Sequence, residues 1–272
     1  MTITETKTNL LNKLGNHHMT EKIVVDNIEL LIWNHIYKRN GYDKYPVIMR
    51  EVDCHRGRAD IVCAVIRKNI LDYSTLKHLG VSLSQPAKAK ILSWFDKRSP
   101  NSVEYISKVT GLVEKTVRRH LRDMLELGFV ESNANGTWVL SKKFKLPDIE
   151  IWAFEVKLHN WKRAFYQALR YRGFSHHIIV VMPAEYSKIP VKNIELFREM
   201  NVGLMAIDQQ GKLEFIEKPQ REKPSSKRHH LYALGQIISE FCRLYPDYQH
   251  RKETRLVPQL KRFVCQGLFH IK

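Results

Sequence analysis

Residues 149–158 read Ile-Glu-Ile-Trp-Ala-Phe-Glu-Val-Lys-Leu, and the rest of the chain is read outward from this run. It is rich in β-branched and aromatic residues, holds no glycine or proline, and has the length of one strand. Side chains on a strand alternate between its faces, so Trp152, Phe154 and Val156 share one face while Glu155 and Lys157 share the other. An acid and a lysine two residues apart, in a run otherwise apolar, are costly to bury unless they pair or serve chemistry. Taken alone, a solvated strand end with a local ion pair explains the run equally well.

Downstream, helices are expected over residues 161–172 and 191–200, alternating with strands over 177–182, 202–207 and 213–216. Strands separated by helices imply an α/β core with at least one crossover. Upstream, Val24, Val25, Ile28, Leu31, Ile32 and Ile36 recur at helical spacing over residues 21–39, and Asn40-Gly41 supplies a stop. Residues 47–52 and 59–66 then read as two strands around a basic, glycine-containing turn at 54–58. Between these blocks the texture changes. Residues 86–97, 102–109 and 113–127 predict three helices, and 129–131 with 137–140 predict a hairpin around Asn133-Ala134-Asn135-Gly136. Three helices and a hairpin make a winged helix-turn-helix. The expected organisation is a discontinuous α/β domain at 1–70 and 149–219, a winged helix-turn-helix insertion at 71–148, and a basic linker with a helical C-terminal segment at 220–272, its helix at 231–244.

Composition narrows the partners. The 272 residues are 43% hydrophobic, enough for a sizeable core, and carry 45 Lys and Arg against 28 Asp and Glu, a formal charge of +17. Such an excess favours a polyanion, with nucleic acid the first candidate. No apolar run is long enough to span a bilayer, so no membrane partner is expected. Cys54, Cys63, Cys242 and Cys265 form no Cys-x-x-Cys pair or zinc spacing, which favours a reducing compartment. The first 15 residues lack the apolar stretch of a signal peptide, so a cytoplasmic location is expected.

A second acid stands in Gly57-Arg58-Ala59-Asp60-Ile61-Val62, where Asp60 opens an apolar strand. The order of helix, strand, strand with Asp60, strand with Glu155-Val156-Lys157, helix and strand resembles the PD-(D/E)XK nuclease superfamily over residues 21–67 and 149–218. That resemblance implies a restriction-endonuclease-like mixed sheet flanked by helices. It implies Asp60 and Glu155 as ligands of Mg²⁺ or Mn²⁺, and Lys157 as the catalytic lysine that orients or activates water. Ala59 stands where the family motif commonly has proline. Gln167 and Tyr171, one helical turn apart, are similar to the Gln-x-x-x-Tyr motif of the exonuclease-like branch. On the first helix Glu29 interrupts the apolar row Val25, Ile32 and Ile36, where an acid of this family often completes the site. Asp60, Glu155, Lys157, Glu29 and Gln167 therefore form the expected catalytic set.

The helix at 113–127 occupies the recognition position of a helix-turn-helix and carries Lys115, Arg118, Arg119, His120 and Arg122; Lys115, Arg118, Arg119 and Arg122 are the expected DNA contacts. The module's other use is protein contact, which leaves room for a homodimer. His17-His18, His176-His177 and His229-His230 make no chelate, because adjacent residues do not face one another, and they read as surface or DNA-proximal residues. The implied activity is hydrolysis of phosphodiester bonds in double-stranded DNA by an endonuclease, as in restriction, anti-phage defence or mobile-element processing. The alternative is a DNA-binding transcription regulator with an inert nuclease-like domain.

Overall fold

The computed structural model describes Val25 and residues 44–53, 57–67, 72–95, 99–208 and 213–246. The helix expected at 21–39, with Glu29, lies outside them except for Val25, which is helical, as does everything beyond 246. β1 (Lys44–Asp53) and β2 (Arg58–Arg67) form an antiparallel pair, with Val47 opposite Ala64 and Val52 opposite Ala59. Most of their apolar residues are buried, Met49 and Val65 only partly, and both strands extend beyond the expected segments because the ladder continues to Lys44 opposite Arg67 and Asp53 opposite Arg58.

After β2 comes a helix not foreseen from the sequence, α1 (Tyr73–Leu83), capped by Asp72, whose carboxylate accepts from the Thr75 amide at 2.8 Å. The three helices of the winged module follow. α2 (Pro86–Ser93) begins on a proline, suited to the first turn where no amide partner is needed. α3 (Val103–Thr110) is capped by Ser102 and closed by Gly111 at φ 65°, a left-handed conformation that glycine adopts without strain. α4 (Glu114–Glu126) buries Val117, Leu121 and Met124. β3 (Val130–Ser132) and β4 (Trp138–Leu140) pair to make the wing.

β5 (Glu150–Val156) returns to the sheet beside β2, with Val65 opposite Glu150. The chain thus leaves and rejoins the sheet at neighbouring points, so β2 and β5 pair across everything inserted between them. α5 (Trp161–Arg170) and a 3₁₀ turn at Tyr171–Gly173 lead to β6 (His177–Pro183), which runs parallel to β5. The single helix expected at 191–200 is two short ones, α6 (Lys188–Lys192) and α7 (Ile194–Glu199), parted at Asn193, whose φ of −112° leaves helical geometry. β7 (Gly203–Ile207) is parallel to β6, and β8 (Leu213–Glu217) antiparallel to β7. The result is a mixed six-stranded sheet in the order β1-β2-β5-β6-β7-β8.

The last described helix, α8 (Lys227–Leu244), starts four residues before the expected position because Ser226 caps the His229 amide. It joins sheet and winged module. The Tyr73 hydroxyl donates to the Cys242 carbonyl and the Tyr245 hydroxyl to that of Pro46, while Lys227 Nζ donates to the Phe95 carbonyl just past α2. Two histidines read as surface residues are buried instead. His176 accepts the Ile151 amide on Nδ1 at 3.0 Å, and desolvation holds its pKa down to about 4. His229 is buried beside Gly173.

Where α8 crosses the α1–α2 junction the backbones almost touch: a Cβ on Gly235 would lie 2.2 Å from Ser84 N and 2.3 Å from the Leu83 carbonyl carbon. Neither atom can rotate away. Gly235→Ala is expected to destabilise the protein by about 3 kcal/mol in urea unfolding, the upper range for overpacking. Wild-type stability in that variant would mean that the two backbones stand further apart.

Candidate functional site

Alternation along β2 and β5, with Ile61 opposite Phe154, brings Asp60 opposite Glu155 one step further along the ladder and on the same face. Asp60 Oδ2 accepts the Val156 amide at 2.7 Å, so its carboxylate is tied to the strand that carries Glu155. Glu155 is 1% exposed. Lys157 Nζ lies 3.4 Å from Glu155 Oε1, at the open end of the same face, with 15% of its side chain exposed.

Tyr171 supplies the contact that sequence spacing could not show. Its hydroxyl, fully buried, meets both the Glu155 carboxyl and the Arg58 carbonyl oxygen, the latter at 2.8 Å. A phenol has one proton to donate. When that proton goes to Arg58, the bond to Glu155 requires a proton from the carboxyl. Burial pushes the Glu155 pKa up to about 7, and the Asp60 charge adds to the rise, while Tyr171 and Lys157 oppose it. The neutral acid and the shared tyrosine bond are therefore compatible near neutral pH.

Of the other expected residues, Gln167 sits on α5, and its buried Oε1 has no hydrogen-bond partner among the described residues. Glu29 lies outside them. Among the described residues no group of three or more His, Cys, Asp and Glu is placed to hold a metal ion. Two carboxylates do suit a cation that keeps several waters, as Mg²⁺ does. The donor set supports the fit, since the Glu155 carboxyl is buried beside a second carboxylate, with Oε1 facing Lys157 Nζ at 3.4 Å.

The winged module presents a second surface. On α4, Lys115, Arg118, Arg119 and Arg122 are exposed and fall at helical spacing opposite the buried Val117, Leu121 and Met124. Arg118 pairs with Glu104 and Glu114, at 3.4 and 3.1 Å, so part of its charge is already met. Beneath α4, Lys88 is buried and bonded to Asp123 at 2.9 Å, which holds the Asp123 carboxyl below its usual range and fixes α4 on α2. His120 is buried, and desolvation lowers its pKa, so it belongs to the module's interior rather than its outer face.

Residues 85–132 match the family model described as bacterial regulatory protein, arsR family. The match runs from the start of α2 to the end of β3, so an ArsR-type helix-turn-helix occupies the middle of the chain. It does not extend to the six-stranded sheet. No curated protein and no solved structure matches the chain. Among the described residues no helix is long and apolar enough to cross a membrane.

Burial of Glu155 has a measurable consequence. Its pKa is about 7 when folded against an ordinary 4.5, so between those values the folded state keeps a proton that the unfolded chain releases. The Glu155 contribution to stability should fall as pH rises through that window, while His176, whose pKa is held down to about 4, contributes in the opposite sense over much of it. Glu155→Gln removes the Glu155 contribution and, with EDTA present, should be more stable than wild type by about 1–2 kcal/mol at about pH 8. Urea unfolding against pH reads both effects as the difference between wild type and Glu155→Gln; a difference that does not change with pH would contradict the buried carboxyl.

Proposed function

We propose that this protein binds duplex DNA through its winged helix and hydrolyses phosphodiester bonds at Asp60, Glu155 and Lys157 with a divalent cation. The observation that carries the proposal is a Glu155 carboxylate buried to 1% exposure on the same sheet face as Asp60, with Lys157 Nζ 3.4 Å away. The supporting resemblance is to the PD-(D/E)XK nucleases, in the order of elements and in the residue types at these three positions. A Mg²⁺ or Mn²⁺ ion held by the two carboxylates would polarise the phosphate and acidify a bound water. Asp60, fixed by the Val156 amide, and Glu155, fixed by Tyr171, would set the carboxylate spacing. Lys157 would orient the attacking water from the open end of the strand. The winged module would dock α4 in the major groove, where Arg119 and Arg122 reach phosphates or base edges.

A second reading is favoured by the arsR family match over residues 85–132. In it the chain is a transcription regulator, and the buried cluster is an ion-pair network with no chemistry. Incubating the protein with plasmid, linear and single-stranded DNA in Mg²⁺, Mn²⁺ or EDTA separates the two.

Hydrolysis predicts metal-dependent cleavage that Asp60→Asn, Glu155→Gln and Lys157→Ala each abolish while DNA binding survives. Mg²⁺ should also raise the melting temperature of wild type and of Lys157→Ala, but not of Asp60→Asn, since only a ligand couples the ion to folding. Sequence-selective binding with no cleavage of any substrate would favour the regulator. In either case, changing Arg118, Arg119 and Arg122 together to Ala should weaken duplex binding and lower the salt slope by up to about three, roughly one for each phosphate no longer neutralised. An unchanged slope with an altered oligomeric state would make the module an assembly device.

A further inference from the structure

We propose that the surface beside Lys157, formed by His159, Tyr186 and the outer face of α5, is a stacking platform for an unpaired nucleic-acid strand. His159 follows Lys157 by two residues, where the chain leaves β5, and Tyr186 stands just past the end of β6, the parallel neighbour of β5. Their rings meet edge to face with centroids 4.3 Å apart, and both side chains face solvent, Tyr186 at 41% exposure. α5 then presents Lys162, Arg163 and Tyr166 outward, with Tyr166 63% exposed, while Trp161, Ala164, Phe165 and Ala168 turn inward. The first turn of α5 holds no acid, and Asn160 caps it through the Arg163 amide at 3.0 Å.

Each feature points to the same occupant. Exposed tyrosines flanked by cations, with Glu185 the neighbouring acid, suit a ligand that is both aromatic and anionic. A helix N-terminus that adds Lys162 and Arg163 to its own positive end favours phosphate. A duplex hides the flat faces of its bases, whereas an unpaired strand offers them for stacking. Groove reading belongs to α4, and the platform takes what α4 cannot. His159 follows Lys157 by two residues, so this inference rests on the hydrolytic reading for what befalls the strand, but not for its binding.

The test is fluorescence anisotropy of the full-length protein in EDTA, with labelled oligothymidylate and a labelled duplex as separate probes. Tyr166→Ala and Tyr186→Ala should each weaken oligothymidylate binding by roughly ten-fold, the scale of one stacked base, and leave duplex affinity unchanged. Tyr166→Phe should retain it, because the ring rather than the hydroxyl is used. The triple arginine variant of α4 should show the reverse pattern. If an alanine variant fails to fold, Lys162→Gln with Arg163→Gln should still lower the oligothymidylate salt slope. Unchanged oligothymidylate affinity, or equal losses for both probes, overturns the platform, and a changed oligomeric mass in its place would make the surface a protein contact. No cleavage of any DNA by the wild type in Mg²⁺ or Mn²⁺, with probe discrimination intact in EDTA, would sink only the hydrolytic reading.

Discussion

Taking the Glu155 carboxyl out of water is the constraint that organises the centre of this sheet. Its neighbours on the strand, Ala153, Phe154 and Val156, are all but completely buried, so an apolar residue of similar volume would fit there with no electrostatic cost. Several kcal/mol separate a buried carboxylate from a hydrated one unless partners compensate. Here compensation is deliberate but incomplete. Tyr171 and Lys157 favour the charge, Asp60 opposes it, and burial still wins, leaving the pKa well above the ordinary carboxylate range. Like carboxylates held together at low dielectric are more often found where chemistry is done than where stability alone is at stake.

The insertion bears on that centre directly. It interrupts the chain between β2 and β5, the two strands that carry Asp60 and Glu155, and their pairing is the contact that brings the carboxylates together. A module hinged freely at this point would transmit every motion to the ladder. α8 limits that freedom. It packs against α1 and α2, bonds to Phe95 through Lys227, and reaches β1 through Tyr245, so the winged module and the first strand share one support. The backbone approach at Gly235 makes that support rigid, since the contact is between main chains rather than flexible side chains. α4, packed on α2, is thereby tied through α8 to the strand that opens the sheet.

Much of this was legible because it is local. Period-two alternation alone put Glu155 and Lys157 on one face, and helical spacing with cap and turn residues defined the winged module. What depended on long-range register was not. That Asp60 stands opposite Glu155 follows from how β2 and β5 pair across the whole insertion, and no spacing rule reaches so far. α1 escaped notice because Gly80 and its serines weaken the apolar period, and Gly80 is there to let α8 approach, with a Cβ only 2.9 Å from Ser239 N. The histidines fail the same way. No adjacent pair can chelate, yet His176 and His230, far apart in sequence, stack edge to face with ring centroids 5.2 Å apart. Tyr171 was readable as half of a motif, but its bond to Glu155 depends on the 3₁₀ turn that ends α5.

The two readings of the sheet differ in what they ask of Tyr171. An inert domain needs only that a buried carboxyl be satisfied, and a protonated Glu155 donating to the phenol meets that need while giving the phenol's own proton to the Arg58 carbonyl. A hydrolytic centre needs the carboxylate charged when a cation is present. The same phenol then turns its proton toward Glu155, and the Arg58 carbonyl gives up its share of the bond. One hydroxyl placed between an acid and a main-chain oxygen serves both states without moving a heavy atom. An apolar residue at position 171 could serve neither, because it would leave the buried Glu155 carboxyl without that partner, a loss of about 1–3 kcal/mol.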